Sequence, residues 1–233
     1  MKNQPTDRSN EKTAQWVKRI LFYVVGLFIL AFAVSISKKS GLGVSPVSSV
    51  ANSISIAFDL DLGLTTAVVF CCYVLIEIAI LRREFPILQI LQVPCAILFG
   101  YFVSFTGTLI DGWDPQTYVV KLLMVILSTV MVAIGFKMYL HANMVPQAGD
   151  GLVNVIVQKT GKKQSTIKNL FDICSVLLAI LVSLIFTGKI QGVREGTVIA
   201  ALGVGRVLAV LNKIDNGRIE RFIYNTGNTQ EEA

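Results

Sequence analysis

Two acidic residues stand inside long apolar stretches, where charged side chains are rare. Glu77 lies late in the second apolar stretch, and Asp172 lies near the beginning of the fifth, beside Asn169. An ionisable group inside a membrane-spanning segment is costly to bury, so it commonly marks an ion or substrate pathway. We predict that Glu77, Asp172 and Asn169 belong to a coupling or gating site. The alternative is that Glu77 reaches back to the interface and that Asp172 forms a local ion pair with Lys168.

Two short segments combine a turn that contains glycine and proline with the start of a half-apolar helix. Ser45 is predicted to be the N-cap of the first helix, with Pro46 at its first position, and Asp150 is predicted to cap the second. Helix starts present unpaired N–H groups, which bind anions, whereas the aspartate favours a cationic or zwitterionic ligand. The predicted substrate-binding residues are Ser45, Pro46, Ser48, Ser49 and Asn52 in the first segment and Asp150, Gly151 and Asn154 in the second.

The position of these two segments relative to the bilayer is left open by the sequence. A re-entrant helix would bring its start to the interior of the protein, where irregular backbone can be satisfied by other groups. An amphipathic helix of the same length can also lie on the membrane surface. A further polar candidate is Arg194, which precedes the last apolar stretch and adjoins Glu195. It is either a gating arginine or one half of an ordinary solvated ion pair.

The composition indicates an all-α integral membrane protein. Of the 233 residues, 53% are hydrophobic and 15% are charged, and the mean hydropathy is +0.64. A soluble domain of this length carries about 25% charged residues, so these charges are too few to cover a surface in water. The net charge of +6 does not indicate a nucleic-acid partner, because the basic residues are dispersed between apolar stretches. The bilayer is the expected partner.

Metal, cofactor and catalytic signals are weak in the sequence. The four cysteines, Cys71, Cys72, Cys95 and Cys174, lie in apolar stretches without metal-binding spacing, and His141 is the single histidine. Nucleotide-binding and nucleophile motifs are absent from the sequence. We predict no metal, no cofactor and no enzymatic activity.

Six apolar stretches are long enough to be membrane-spanning helices. The sixth is the shortest and contains two glycines and Arg206. The sequence therefore predicts a membrane domain over 20–212, a cytoplasmic N-terminal tail over 1–19 and a cytoplasmic C-terminal tail over 213–233. The predicted spans are 20–37, 62–81, 86–110, 118–140, 167–187 and 196–211.

The placement of lysine and arginine predicts the orientation. With the N-terminus inside, sixteen basic residues fall on the cytoplasmic side and four on the outer side. Short cytoplasmic loops carry an excess of these residues. Both termini are therefore predicted to be cytoplasmic.

The order of elements suggests two related halves, 20–112 and 117–212. Each half contains a span, a turn with proline, a short half-apolar segment and two further spans, and an offset of 100 aligns Pro46 with Pro146. Because each half has an odd number of spans, the second would be inverted relative to the first, as in many secondary transporters. Chance similarity between apolar sequences is the alternative.

Three short motifs resemble the YczE/YyaS/YitT-like family of bacterial multi-pass membrane proteins. They are Gly41-x-Gly-x-Ser-Pro46, Pro146-x-x-x-Asp150-Gly-Leu and Gly192-x-x-x-Gly196-Thr197, and the similarity extends over about residues 20–212. The resemblance implies a bacterial inner-membrane protein, and members of the family are often described as permeases. We therefore expect a transporter or permease of a small polar solute that works by alternating access.

Two other classes remain as alternatives at this point. One is a membrane scaffold or sensor that supports a partner protein without transport, and the weaker one is a membrane-embedded enzyme. Glycines in the predicted spans permit close helix approach, so a homodimer is also expected. The glycines concerned are Gly100, Gly107, Gly203 and Gly205.

Overall fold

The structure is a computed structural model that describes residues 5–215, 219 and 223. This part of the chain is helical, with no β-strand. Two 3-10 segments, Arg82–Glu84 and Ile87–Leu91, connect the third helix to the fourth. The helices are α1 Pro5–Ser40, α2 Pro46–Phe58, α3 Leu62–Leu81, α4 Gln92–Leu109, α5 Tyr118–His141, α6 Ala148–Thr160, α7 Gln164–Thr187 and α8 Glu195–Asp215.

Six of these helical segments are long and apolar enough to cross a membrane, as predicted. The short sixth span is among them, as Glu195–Asp215 within α8. Many large apolar side chains are exposed on the outside of the bundle, including Ile97, Leu123 and Leu181, and this is the pattern expected where lipid replaces water around a protein. The segments are Gln15–Ser40, Leu62–Glu84, Ile87–Leu109, Tyr118–His141, Gln164–Thr187 and Glu195–Asp215.

The predicted boundaries differ from the observed ones mainly at the ends of the membrane domain. Helix α1 begins at Pro5, so most of the predicted N-terminal tail continues the first span as a helix. Residues 1–4, 216–218, 220–222 and 224–233, which include most of the predicted C-terminal tail, lie outside the described residues.

Helices α1 and α5 form the centre of the bundle and cross at a pair of glycines. A Cβ on Gly26 would lie 2.9 Å from the carbonyl oxygen of Gly135, and a Cβ on Gly135 would lie 2.8 Å from the carbonyl oxygen of Gly26. The two backbones are therefore as close as glycine alone allows. Tyr23 and Tyr139 continue this contact with their rings edge to face, 6.2 Å between centroids.

Helices α3 and α4 form a second tight pair through Gly63 and Gly100. A Cβ on Gly100 would lie 2.5 Å from the carbonyl oxygen of Gly63. Asp61 caps α3 by accepting a 2.8 Å hydrogen bond from the Leu64 amide, and it also accepts the hydroxyl of Ser104 on α4. Gly100 is thus occupied by a contact inside the chain.

Gly100 and Gly203, two of the glycines that suggested close helix approach in a homodimer, make such close approaches within the chain. A Cβ on Gly203 of α8 would lie 2.8 Å from the methyl carbon of Thr129 on α5. The far end of α8 is also fixed to α5, because the buried Lys137 pairs with Asp215 at 3.2 Å and donates to the Leu211 carbonyl at 2.7 Å. These glycine contacts and this ion pair hold helices together within one chain.

The two short helices are enclosed by the longer ones. Helix α2 packs against α7 and α3, and α6 packs against α3 and α7. Eight of the thirteen residues of α2 are buried, including four serines and Asn52. Six of the thirteen residues of α6 are buried. This burial differs from what a helix resting on the outside of the bundle would show.

Candidate functional site

A cavity of about 540 Å³ lies where α2 and α6 begin, and all six longer helices also contribute to its lining. One side of the cavity is apolar, and the other is formed by polar groups of α2, α6 and α7. A few polar groups in a mostly apolar cavity are typical of small-molecule binding sites. The apolar side includes Leu30, Val34, Phe70, Phe99, Val132 and Phe136.

The starts of α2 and α6 meet at this cavity. A Cβ on Gly149 would lie 2.9 Å from Cγ1 of Val47. Ser45 is the N-cap of α2 with Pro46 next to it, as predicted, but the Ser45 hydroxyl makes no bond to the helix backbone and donates to the Ser48 hydroxyl at 3.3 Å. Ser45, Pro46 and Ser48 all line the cavity.

Asp150 also lines the cavity but does not cap α6, so that prediction is wrong. The N-cap is Gln147, and Asp150 lies in the first turn of the helix. The difference arises because α6 starts at Ala148, two residues after Pro146, whereas Pro46 is itself the first residue of α2. The Asp150 carboxylate accepts hydrogen bonds from the Tyr139 hydroxyl and from Lys168, at 3.2 Å to Nζ. It also benefits from the helix dipole at this end.

Lys168 lies between two carboxylates of the cavity wall. Its Nζ is 3.2 Å from Asp150 Oδ1 and 3.5 Å from Asp172 Oδ1. The local pair with Asp172 was one of the two predicted alternatives, and it is present. Two carboxylates and one ammonium leave this wall with one excess negative charge when all three are ionised. The wall therefore attracts a positively charged group.

Two asparagines extend the polar side of the cavity. Asn169 lines it beside Lys168 on α7, and Asn154 lines it from α6. The Asn154 side-chain oxygen accepts a 3.2 Å hydrogen bond from Gln164. Asn154 thereby joins α6 to the start of α7.

Ser49 and Asn52 were predicted to bind substrate, but the structure places both away from the cavity lining. Ser49 donates to the carbonyl of Pro46 at 2.6 Å, and its hydroxyl is 3.5 Å from the carbonyl of Ser175. Asn52 donates to the carbonyl of Gly192 at 3.3 Å. These two side chains hold α2 against α7 and against the turn before α8.

Glu77 and Gly151 lie together in a buried contact outside the cavity lining. The Glu77 side chain is fully buried and accepts a 3.0 Å hydrogen bond from Gln92 Nε2. A Cβ on Gly151 would lie 2.5 Å from Glu77 Oε1. The alternative that Glu77 reaches back to the interface is therefore wrong, since the packing of α6 over α3 covers it.

Arg194 lies outside the cavity as an exposed side chain. It pairs with Glu195 at 3.3 Å and donates to the carbonyl of Gly41 at 3.4 Å. This matches the solvated ion pair that the sequence offered as one alternative.

Three residues of these sites were not among the predicted site residues. Lys168 was expected to pair locally, but its contact with Asp150 depends on the packing of α6 against α7. Tyr139 carries its hydroxyl in the last turns of α5, and Gln92 is an amide inside a predicted span. A polar group within an apolar stretch is the signal that could have indicated Tyr139 and Gln92.

Two of the glycine motifs described above pack against each other at the start of α8. The Gly196 amide donates to the carbonyl of Leu42 at 2.8 Å. A Cβ on Gly43, where φ is +99°, would lie 2.5 Å from the Thr197 hydroxyl and 2.9 Å from the Arg194 amide. Side chains at these glycines would separate the connection after α1 from α8.

Six apolar helices around a partly polar interior define a multi-pass helical membrane protein. The chain belongs to the family DUF6198, a family of unknown function, whose model matches residues 17–213. It is also 27% identical over 193 residues to the uncharacterized membrane protein YczE of Bacillus subtilis (strain 168), covering 82% of this chain and 84% of that protein. No solved structure matches it. The resemblance to YczE-like proteins is thus confirmed.

Proposed function

We propose that this protein is a transporter of a small polar solute, cationic or zwitterionic, in the bacterial inner membrane. The observation that carries the proposal is the cavity, because polar groups from both halves of the chain line it, Ser45 and Ser48 from the first and Asp150, Lys168 and Asp172 from the second. When Asp150, Lys168 and Asp172 are all ionised, the one excess negative charge of this wall favours a positively charged group on the solute.

The cavity favours transport over the scaffold alternative. A scaffold or sensor needs a well-packed interior and an external surface for its partner, whereas an internal polar cavity costs packing and is of no use to it. An enzyme would also use several titratable groups on one cavity. In the proposed function the cluster around Lys168 binds the solute and leaves it unchanged.

The pattern of helix packing supports two inverted halves, with α1 to α4 corresponding to α5 to α8. Helix α2 packs against α7, and its counterpart α6 packs against α3 in the same way. Helix α1 packs against α4 as α5 packs against α8, and α2 packs against α3 as α6 packs against α7. Helix α1 packs on its own counterpart α5. Helices α2 and α6 are each 13 residues long and begin side by side. We propose that they are re-entrant helices related by a pseudo-two-fold axis.

One pair of neighbours breaks this correspondence. Helices α3 and α4 pack tightly, whereas their counterparts α7 and α8 share hardly any contact in the described chain. In a protein with inverted halves, the opposite-facing state forms when each half adopts the conformation that the other half had before. We propose that separation of α3 from α4, together with closure of α7 on α8, moves the access from one side of the membrane to the other.

The test is untargeted metabolite profiling, inside and outside cells, with the gene absent, present, or carrying Asp150→Asn. A transporter predicts a difference in the distribution of at least one cationic or zwitterionic metabolite, and this difference should be lost in D150N. Glu84→Gln is the matched control, because Glu84 is an exposed carboxylate that pairs with Lys159 and does not line the cavity. Wild type and both variants must be present in the membrane at equal amounts.

The other possible results of the metabolite profiling distinguish the alternative functions. The absence of any difference in flux between cells with and without the protein would favour the scaffold. Appearance of a new chemical product instead of a redistributed metabolite would favour an enzyme. A flux difference that survives in D150N would show that the cavity wall does not bind the solute.

A further inference from the structure

The buried pair of Glu77 and Gln92 has an unusual pattern of hydrogen bonding. Gln92 Nε2 donates to Glu77 Oε2 at 3.0 Å. The two remaining side-chain oxygens, Glu77 Oε1 and Gln92 Oε1, are both buried and have no hydrogen-bond partner. Both lie against the backbone of Gly151, because a Cβ there would be 2.5 Å from the first and 2.9 Å from the second. A buried acceptor without a donor is destabilising, and two of them occur in this one contact.

A single proton gives both of these oxygens a hydrogen-bond partner. A hydrogen on Glu77 Oε1 can be donated to Gln92 Oε1, while Gln92 Nε2 continues to donate to Oε2. The two side chains then form a closed acid–amide pair in which every polar atom has a partner. A carboxylate without that proton would keep a buried charge beside an unpaired carbonyl, which is costly in an apolar interior.

The charged groups around Glu77 do not offer it a counter-charge. Helices α2 and α4, which flank α3, carry no charged residue in their sequences, and Arg82 and Arg83 directly after α3 are exposed and form no ion pair with Glu77. On α6, Asp150 is engaged by Lys168 and Tyr139, and Lys159 pairs with Glu84 at 2.7 Å. None of the ion pairs among the described residues includes Glu77. A neutral side chain is therefore the form that this environment accommodates.

We propose that Glu77 is a proton-binding site that is closed by Gln92 and covered by Gly151, and that it couples proton movement to solute binding. The coupling part rests on the proposed transport function. Asp150 faces the cavity and Gly151, the next residue of the same helical turn, covers Glu77. Solute that binds at Asp150 thereby acts on the turn that seals the proton site. When α6 moves away, the O–H bond of Glu77 breaks, the proton passes to water, and the carboxylate remains.

Glycine at position 151 is required by this arrangement. A methyl group there would fall 2.5 Å from Glu77 Oε1 and 2.8 Å from Gln92 Nε2, closer than atoms in contact can approach. Gly151→Ala must therefore displace the acid–amide pair. This gives a variant that disturbs the proton site without changing any titratable group.

Infrared spectroscopy of the full-length protein in lipid nanodiscs tests the proton directly, with the proton itself as the ligand. At neutral pH the wild type should show the C=O stretch of a protonated carboxylic acid, and Glu77→Gln should remove that band. Glu84→Gln should retain it, since Glu84 is exposed and ion-paired. Gln92→Leu and G151A should shift the band to higher frequency, because the acid loses its hydrogen-bonded partner.

The acid–amide pair also predicts the thermal stability of the Glu77→Gln variant. Glutamine at position 77 accepts from Gln92 with its oxygen and donates to it with its nitrogen, so E77Q should unfold at the same temperature as the wild type. A wild-type spectrum without the acid band, an unchanged band in E77Q, or a failure of E77Q to fold would each overturn the proposal. A positive infrared result without any metabolite flux would reject transport and the coupling while leaving the proton site. Metabolite flux in a protein whose Glu77 is ionised would support transport and reject the proton site.

Discussion

Val47 at the start of α2 lies directly against Gly149 at the start of α6, with Cγ1 of the valine 2.9 Å from the position of a Cβ on the glycine. The two short helices come from opposite halves of the chain, yet their first turns share one contact beside the cavity. This contact is the place where the halves can influence each other and where several predictions can be tested.

A pair of cysteines should cross-link the two short helices. In a background without the four native cysteines, V47C combined with G149C should form a disulfide on mild oxidation, because Val47 Cγ1 lies 2.9 Å from the Cβ position of Gly149 and the two side chains are therefore within reach of each other. A protease site inserted between α4 and α5 allows the result to be read on a non-reducing gel, where the two fragments stay joined. V47C with G161C, at the opposite end of α6, is the control and should separate. Equal cross-linking of both pairs would contradict the contact.

Gly100→Ala should destabilise the protein by about 1–3 kcal/mol, the usual cost of overpacking. The added methyl would lie 2.5 Å from a backbone carbonyl of α3, which cannot move aside as a side chain can. Gly205→Ala is the matched control, since this helical glycine has no atom within 4 Å of its Cβ position, and alanine there should gain up to about 1 kcal/mol. Thermal unfolding in one detergent measures both. An equal effect of the two substitutions would argue against tight α3–α4 packing.

Lys168→Met should destabilise the protein by about 1–2 kcal/mol because it leaves Asp150 and Asp172 without their shared cation. The effect is smaller than for a fully buried pair, since 31% of the lysine side chain is exposed. Adding D150N to K168M should recover part of the loss, as one of the two repelling charges is then removed. Lys162→Met, at an exposed lysine before α7, should have little effect. The loss of stability is measured by thermal unfolding, and no recovery in the double variant would contradict the shared ion pair.

The predicted orientation can be tested with single cysteines in the same cysteine-free background. Asp114→Cys lies in the exposed connection before α5, and Lys162→Cys lies in the exposed connection before α7. A membrane-impermeant maleimide added to intact spheroplasts should label D114C and not K162C. Labelling in the reverse sense would place the termini outside, and labelling of both to the same extent would contradict the predicted arrangement of the spans.

The membrane domain could be predicted from the sequence because the length of an apolar helix is set by the thickness of the bilayer. All six spans are present, and even α8, interrupted by Gly203 and Gly205, has the required length. The start of α2 could be predicted because Ser45 followed by Pro46 is a local signal. The start of α6 was misplaced because Asp150 has the right residue type for a cap, while the observed cap, Gln147, is not a residue that commonly serves as one.

The grouping of the site residues could not be predicted, because it depends on contacts between elements far apart in the chain. Nothing local distinguishes Asp150, which faces the cavity, from Gly151, which faces Glu77. That division follows from the side of α6 that packs on α3. Asn52 looks like a binding residue until the turn at Gly192 is placed against it. The homodimer remains a prediction, and two of the glycines that suggested it are used within the monomer.

The separation of α7 from α8 has a practical consequence for handling the protein. Both ends of α8 are held in place, at Leu42 by the Gly196 amide and at Lys137 by Asp215, so its sparse contact with α7 does not make it a loose helix. The cavity residues that α8 supplies, such as Ala200 and Val204, are apolar, so a hydrocarbon chain that enters between α7 and α8 would meet an apolar surface. We therefore expect the cavity of the purified protein to hold a tail of the surrounding detergent or lipid, so that the melting temperature of the protein will change with tail length.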